Sequence, residues 1–392
     1  MLFYQKNASA SRYAAYGLCD KLCECVKNQM ALHSQKAENK LGISFATART
    51  IALLYRLIDF YRACSFLYLL IGLKFMKALL RCVRFQQTES LRLLVACVVC
   101  LAGSSTAWAD TGKLLLTGGV SSVEGAAGGG ITPWAVIGSN ATAGEVGFSA
   151  FASRAVTTDY RLNIVGAAVG IDDRLELSIA QQDLNTGITG TTLGLPGLHL
   201  KQTIVGAKIR VLGDAILDSD TWMPQVAFGL QAKKLGSSGL DSTFDALGVK
   251  RSGVDAYVSA TKLLLGNSLL LNATLRATKA NQNGLLGFGA TLGGRQDSYR
   301  LQPEFSIGYL LSKNWVVGAE YRFMRNRLTQ AGAAAGLGTG FRAQDWKDVF
   351  IAWAPNKNVS FTLAYVDLGV VVPATTASRK QKGAYFSVQA AF

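Results

Sequence analysis

The stretch Gly383-Ala384-Tyr385-Phe386-Ser387-Val388-Gln389-Ala390-Ala391-Phe392 decides how the rest of this chain is read. Counted back from Phe392, every second residue is apolar: Ala390, Val388, Phe386 and Ala384. Ala391, Gln389, Ser387 and Tyr385 fall between them and form a wetter set. Successive side chains of a strand point to opposite faces, so a period of two describes a ribbon with one oily face. The final residue is an aromatic, where a soluble domain usually ends polar and frayed.

Upstream, the same period returns. Leu301, Pro303, Phe305, Ile307 and Tyr309 oppose Gln302, Glu304, Ser306 and Gly308. Trp315, Val317, Ala319, Tyr321 and Phe323 oppose Val316, Gly318, Glu320 and Arg322, and Val359, Phe361, Leu363 and Tyr365 oppose Ser360, Thr362 and Ala364. Twelve strands are expected: Glu145–Val156, Arg161–Gly170, Arg174–Asp183, Lys201–Leu212, Trp222–Lys233, Val254–Leu265, Ser268–Lys279, Arg300–Leu311, Asn314–Arg327, Trp346–Ala354, Val359–Leu368 and Gly383–Phe392. No helical stripe competes with them.

The connections alternate in length. Ile171-Asp172-Asp173, Gly266-Asn267, Ser312-Lys313 and Pro355–Asn358 are short, and Gly213–Thr221 is somewhat longer. Between them lie Leu184–Leu200, Lys234–Gly253, Ala280–Tyr299, Leu328–Asp345 and Gly369–Lys382. A soluble sandwich has no cause to alternate this way, whereas an outer-membrane barrel has tight periplasmic turns and long outer loops. In hydrocarbon every peptide group must pair within the protein, and a closed sheet does so without a free edge. The expected fold is all-β: a transmembrane antiparallel up-and-down barrel of about twelve strands over residues 144–392. Residues 110–143 are Gly-rich, and form either a plug or further strands that would make fourteen. Their glycine cluster Gly128–Gly130 lacks the Gly-Lys-Ser/Thr ending of a phosphate loop.

Composition agrees. Apolar residues make up 49% of the 392 and charged residues only 17%, which excludes a disordered chain. All seven cysteines lie at or before Cys100, so the exported part has neither a disulfide framework nor a thiolate metal site. The net charge of +15 is concentrated at the front: 14 Lys/Arg against 5 Asp/Glu up to Ala109, then 26 against 20. That distribution does not favour nucleic acid as a partner of the folded part.

Residues 76–109 have a basic start (Lys77, Arg81, Arg84, Arg92), a charge-free run from Leu93 and an Ala107-x-Ala109 cleavage site, which together predict a secretory signal. Leu94-Val95-Ala96-Cys97 offers a lipoprotein alternative. Residues 1–75 fit an export signal poorly. They are expected to be a mis-set start, with translation beginning at Met76, the alternative being a cytoplasmic leader or signal anchor.

Charges facing lipid are costly at mid-depth, so those within strands are assigned to the lumen: Arg174, Glu176, Lys208, Arg210, Asp255, Arg276, Glu304, Glu320 and Arg322. In an open pore they would bias permeation, and in a narrow or plugged barrel they would pair. Trp222, Trp315, Trp346, Trp353 and Tyr299 are candidates for interfacial girdles. The long-loop side is basic, with Lys233 and Lys234 at its rim, and Arg379, Lys380 and Lys382 are candidates for lipopolysaccharide phosphates. His199 lies in a loop without a definable serine and acid partner, so no catalytic residues are assigned and an enzyme is not expected. Asp214, Asp218 and Asp220 do not have calcium-loop spacing. Neither a metal nor a cofactor is expected.

The terminal stretch also resembles the last strand of bacterial outer-membrane barrels, which the insertion machinery recognises. That resemblance marks Phe386, Val388 and Phe392 as the insertion signal. Gly112–Ala126, Thr132-Pro133-Trp134-Ala135-Val136, Glu176–Gln182, Val317–Arg322 and Leu363–Gly369 resemble an uncharacterised proteobacterial family, domain of unknown function 3034. The resemblance covers about the whole exported chain and implies an outer-membrane protein, without a substrate or site residues. The expected function is a passive pore or transporter for small solutes in the outer membrane, in contact with its lipids and lipopolysaccharide. The alternative is a closed structural or lipid-contacting barrel.

Overall fold

The period-two runs all become strands in a computed structural model, which describes Leu116, residues 119–213 and residues 222–392, all within the unit Thr88–Phe392. In chain order they are β1 (Val146–Thr157), β2 (Arg161–Ile171), β3 (Leu175–Asn185), β4 (His199–Leu212), β5 (Gln225–Leu235), β6 (Ser252–Leu264), β7 (Leu269–Thr278), β8 (Arg300–Ser312), β9 (Trp315–Arg322), β10 (Trp346–Asn356), β11 (Val359–Asp367) and β12 (Lys382–Ala391). Each pairs antiparallel with the next, and β12 returns to β1 from Gly383↔Thr157 to Ala391↔Ser149. Phe392 adds a reciprocal pair of backbone hydrogen bonds to Phe148, both 2.8 Å, at the end of that seam. The barrel therefore has twelve strands, and residues 119–143 add none to its wall.

The two faces differ as alternation requires. Outward positions such as Ile179, Val205, Phe228, Phe305, Ile307, Leu363 and Phe386 are exposed, and inward positions such as Gln182, Gln202, Ser259, Asn272 and Ser387 are buried. A wall that is oily outside and polar inside is that of a membrane-spanning barrel. Among the described residues no helix is long and apolar enough to cross a membrane.

Glycines fill a specific role on the inner wall. Phe151, Tyr257 and Phe350 point inward, and each stands directly across the ladder from a glycine: Gly166, Gly229 and Gly318. A Cβ at any of the three would overlap the opposing ring. The ring instead lies flat over its neighbour's backbone, which conserves space in the lumen.

The short-turn rim holds tight hairpins and bulges. Asp172 and Asp173 take φ of 55° and 47°, the left-handed pair of a tight turn that the Arg174 N–H closes on Ile171 O at 3.0 Å, and one that Asp tolerates. Register shifts fall between Arg210 and Leu212, Leu310 and Ser312, and Trp353 and Asn356, all at this rim. On the outer wall just above it, Trp353 stacks on Trp315 (5.5 Å) and Phe361 (5.6 Å). Toward the other rim Phe323 contacts Tyr321 (4.8 Å) and Phe305 (6.5 Å). Trp346 corrects the expected girdle. It faces inward, and its indole N–H donates to Gln282 Oε1 at 3.0 Å.

The long loops are more ordered than their polar, Gly-rich composition suggests. They carry α1 (Gly187–Thr192), α2 (Asp241–Leu247), α3 (Leu328–Ala334) and α4 (Pro373–Thr376). Leu200, Leu235, Leu240, Phe244, Leu247, Ala290, Leu328 and Ala331 form an apolar cluster that ties together the loops after β3, β5, β7 and β9. The expectations for residues 1–75, the signal at 76–109, Cys97 and Asp214, Asp218 and Asp220 lie outside the described residues.

Candidate functional site

Residues 119–143 occupy the lumen as a hairpin. Val120–Ser121 pairs with Ala127–Gly128, and the turn between them needs Gly125 at φ 93°, closed to most side-chain-bearing residues. The segment enters from the short-turn rim, where Asn140 Nδ2 donates to Lys357 O (2.8 Å) and Ala391 O (3.1 Å).

Just above, Glu176 accepts from the backbone N–H of Gly138 (2.7 Å) and Ala127 (3.1 Å) and pairs with Lys208 at 3.0 Å. Lys208 in turn donates to Ala127 O (2.9 Å) and Trp134 O (3.3 Å). At mid-height Pro133 O accepts from Thr274 (2.8 Å) and Ser259 (3.2 Å), and Trp134 Nε1 donates to Ser306 (3.0 Å). Glu320 accepts from Ile131 N–H (2.8 Å), Ser306 (2.9 Å) and the Thr132 hydroxyl. Asp348 stands directly opposite it on β10. A Cβ on Gly129 would overlap the Glu320 carboxylate. The glycine cluster is thus a close backbone approach to buried acids, with no phosphate role needed.

The tip carries Glu124, near the long-loop rim. Five consecutive strands supply inward charges of alternating sign: Lys233 (β5), Asp255 (β6), Arg276 (β7), Glu304 (β8) and Arg322 (β9). They form one chain of contacts: Lys233–Asp255 2.7 Å, Asp255–Arg276 3.6 Å, Arg276–Glu304 2.6 Å and Glu304–Arg322 3.2 Å. The wall therefore carries three cations against two anions. Glu124 supplies the third anion, meeting Arg276 at 2.8 Å, Arg322 at 3.2 Å and the Lys233 ammonium. Every side chain in this set is at most 1% exposed. Burial alone would push the Glu124 carboxyl up, but Arg276, Arg322 and Lys233 together outweigh it and hold the group below the usual carboxylate range.

A turn of the long loop after β7 closes over this site. Asn283 Oδ1 accepts from Lys233 and Arg322, both at 3.0 Å, and Gln202 donates to Asn283 O at 3.1 Å. The lumen is filled from one rim by the hairpin and met from the other by this loop.

Of the residues assigned to the lumen from sequence, Glu176, Lys208, Arg210, Asp255, Arg276, Glu304, Glu320 and Arg322 are buried inside. The structure gathers Asp255, Arg276, Glu304 and Arg322 into one site, pairs Glu176 with Lys208, and pairs Arg210 with Asp173 at 2.8 Å. Arg174 is a correction. It closes the Asp172-Asp173 turn before β3 begins at Leu175, and is exposed at the rim. Lys233 moves the other way, from the expected basic rim into the lumen. Glu124 and Asp348 were missed. The signal for Glu124 was the odd count of alternating charges on the wall.

Arg379 pairs with Asp159 at 2.7 Å, Lys382 lies 3.7 Å from Asp367, and Lys380 is exposed, all at the long-loop rim. Phe386 and Val388 lie on the outward face of β12. His199 does have an acid partner, Asp183, at 2.6 Å, but its other ring nitrogen faces Asn185 at 3.2 Å rather than a hydroxyl. Among the described residues no group of three or more His, Cys, Asp or Glu side chains is arranged to hold a metal.

A buried charge network closed by a hairpin from the same chain defines a plugged membrane barrel. The chain belongs to the family described as "Protein of unknown function (DUF3034)", whose model matches residues 117–389. No curated protein matches it. Among solved structures it is similar to the KdgM porin, with TM-score 0.39 and 11% identity over 62% of this chain and 99% of that one. An outer membrane channel from Pseudomonas putida F1 gives TM-score 0.40 and 11% identity over 65% and 97%. Outer membrane phospholipase A from Escherichia coli gives 0.33 and 11% over 63% and 92%. With scores and identities this low, none of them bears on what this barrel does.

Proposed function

We propose that this protein is an outer-membrane barrel that is shut at rest by its own N-terminal hairpin, so that it is not a passive pore in the state described. The supporting observation is Glu124. It is held inside the wall by Lys233, Arg276 and Arg322, and its charge completes theirs. Solutes would cross only after the hairpin leaves. A barrel serving purely as a structural or lipid-contacting element would share the resting state but would never open. The oily outer wall and the aromatic rows near both rims favour a bilayer, and the short-turn rim, where the hairpin enters, is the periplasmic side.

Purified protein in planar bilayers tests this reading. The intact chain is expected to be silent, and a variant lacking residues 119–138 is expected to conduct steadily. Steady openings of the intact chain would restore the passive pore, and silence of the deleted variant would favour a lumen closed by the loops alone.

A further inference from the structure

The cations that hold Glu124 belong to three strands of the wall, while the carboxylate they hold belongs to a hairpin that is no part of the wall. In an ordinary buried ion pair both partners sit on the scaffold. Here the scaffold alone is one negative charge short, with Lys233, Arg276 and Arg322 against Asp255 and Glu304. The missing charge is taken by both oxygens of one carboxylate: Oε2 meets Arg276 Nη2 (2.8 Å) and Arg322 Nη1 (3.2 Å), and Oε1 meets Lys233 and Arg322 Nη2 (3.4 Å). Two guanidinium forks and an ammonium around one planar carboxylate have the geometry of a receptor for that group.

A second observation points to a ligand larger than the Glu124 side chain. Two buried side-chain amide nitrogens at this site, Gln231 Nε2 and Asn283 Nδ2, have no hydrogen-bond partner. Their orientations follow from their cationic neighbours. Gln231 Oε1 must accept from Arg276 (2.6 Å), and Asn283 Oδ1 from Lys233 and Arg322 (3.0 Å each), which turns both NH2 groups away unpaired. An unmade hydrogen bond in such a place is costly, so two spare donors beside a carboxylate site are unfilled capacity. On the long-loop face, a crevice of about 20 Å3 runs beside the covering turn, lined by Asn281, Gln282, Arg325 and Arg327 among others. It is about the size of one water, with guanidinium groups on its wall.

We infer that Lys233, Arg276 and Arg322 form a carboxylate-binding site that Glu124 fills as a built-in ligand, and that a small hydroxycarboxylate competing for this site releases the hairpin. This deepens the closed-barrel reading and rests on it. The solute's carboxylate replaces that of Glu124, and its hydroxyl oxygen accepts from Gln231 or Asn283, a contact that Glu124 does not make. The net charge of the site is unchanged by the exchange, so a neutral analogue cannot perform it.

The experiment uses the intact protein in planar bilayers under constant chloride, with lactate, lactamide or inorganic phosphate added to either side. Hairpin release is read separately by maleimide labelling at Ser122→Cys, scored by peptide mass; residues after Cys100 contain no native cysteine. Lactate is expected to open the barrel and accelerate labelling, and lactamide to do neither. Glu124→Gln, which removes the competing charge and keeps its shape, is expected to lower the half-maximal lactate concentration by about tenfold or more, the scale of one lost charge-assisted contact. Silence with lactate, and labelling it does not change, would overturn the inference and leave the closed-barrel reading standing. Equal opening by phosphate would overturn the carboxylate assignment. Steady conductance without any addition would overturn the closed-barrel reading, and lactate-independent labelling in that case would overturn the inference as well.

Discussion

Glu124→Gln is the substitution that most directly tests what holds the hairpin in place. The wild-type group of six charges sums to zero: Lys233, Arg276 and Arg322 against Glu124, Asp255 and Glu304. Glutamine preserves the shape and can still accept from one guanidinium, but it leaves one cation uncompensated in a site where every member is at most 1% exposed. Removing one partner from such a buried set costs about 3–5 kcal/mol, and the amide's remaining hydrogen bond puts Glu124→Gln toward the lower end. The wall need not unfold to relieve that cost, because its twelve ladders close without the hairpin. Withdrawal of the hairpin lets water reach the cations, so the cost falls on the plugged state alone. At about 1.4 kcal/mol per factor of ten, 3 kcal/mol raises the unplugged population by about a hundredfold. Labelling at Ser122→Cys, at a position fully buried when plugged, should quicken accordingly and be accompanied by conductance. Asp245→Asn, an exposed change on the long-loop side whose carboxylate pairs with Arg251, is the control and should alter neither. A labelling rate within about twofold of wild type would mean that the Glu124 contacts are not what retains the hairpin.

Acid acts on the same group. The Glu124 pKa is depressed in the plugged state relative to the free carboxylate near about 4.3, so its contribution is complete above that pH and is lost as pH falls through the plugged-state value. Asp255 faces Lys233 and Arg276, and Glu304 faces Arg276 and Arg322, from the same wall. Conductance should therefore be absent between neutral pH and about pH 5 and rise below about pH 4; opening on the alkaline side instead would contradict the assignment. Gly229→Ala should force the Tyr257 ring off its neighbour's backbone and out of its stack with Arg276 (5.2 Å), at a cost of about 1–3 kcal/mol seen as a lower melting temperature. Gly308→Ala, whose nearest new contact is an ordinary 3.4 Å, should stay within about 0.5 kcal/mol of wild type. Neutralising Arg379, Lys380 and Lys382 should weaken lipopolysaccharide co-purification only a few-fold. Arg379 and Lys382 already face Asp159 and Asp367, and exposed pairs are worth about 1 kcal/mol or less each. Unchanged retention would exclude that contact.

The wall and most of its inward charges were legible and the partners of those charges were not, for reasons that follow from what each residue touches. An outward residue meets lipid whatever its neighbours are, so Phe305, Ile307 and Leu363 had to be apolar and the period of two survived in the sequence. Chain punctuation worked for the same reason: Asp172-Asp173 marks a left-handed hairpin by its own local chemistry. An inward residue meets whatever the fold brings opposite it. Lys233 read as rim because its partners, Asp255 and Glu124, are distant in sequence and identified only by closure of the sheet. The hairpin was harder still. Gly129 and Ile131 bind Glu320 through backbone approach, which leaves no side-chain pattern to detect. Yet one trace of the plug lies in the wall itself. Lys233, Asp255, Arg276, Glu304 and Arg322 alternate in sign on five successive strands and end with one cation too many. A dry ring of that kind cannot persist alone, because a buried charge without a counter-charge is among the costliest arrangements a protein can hold. The excess therefore required an anion from outside the wall, and Glu124 is the acid that the hairpin brings to it.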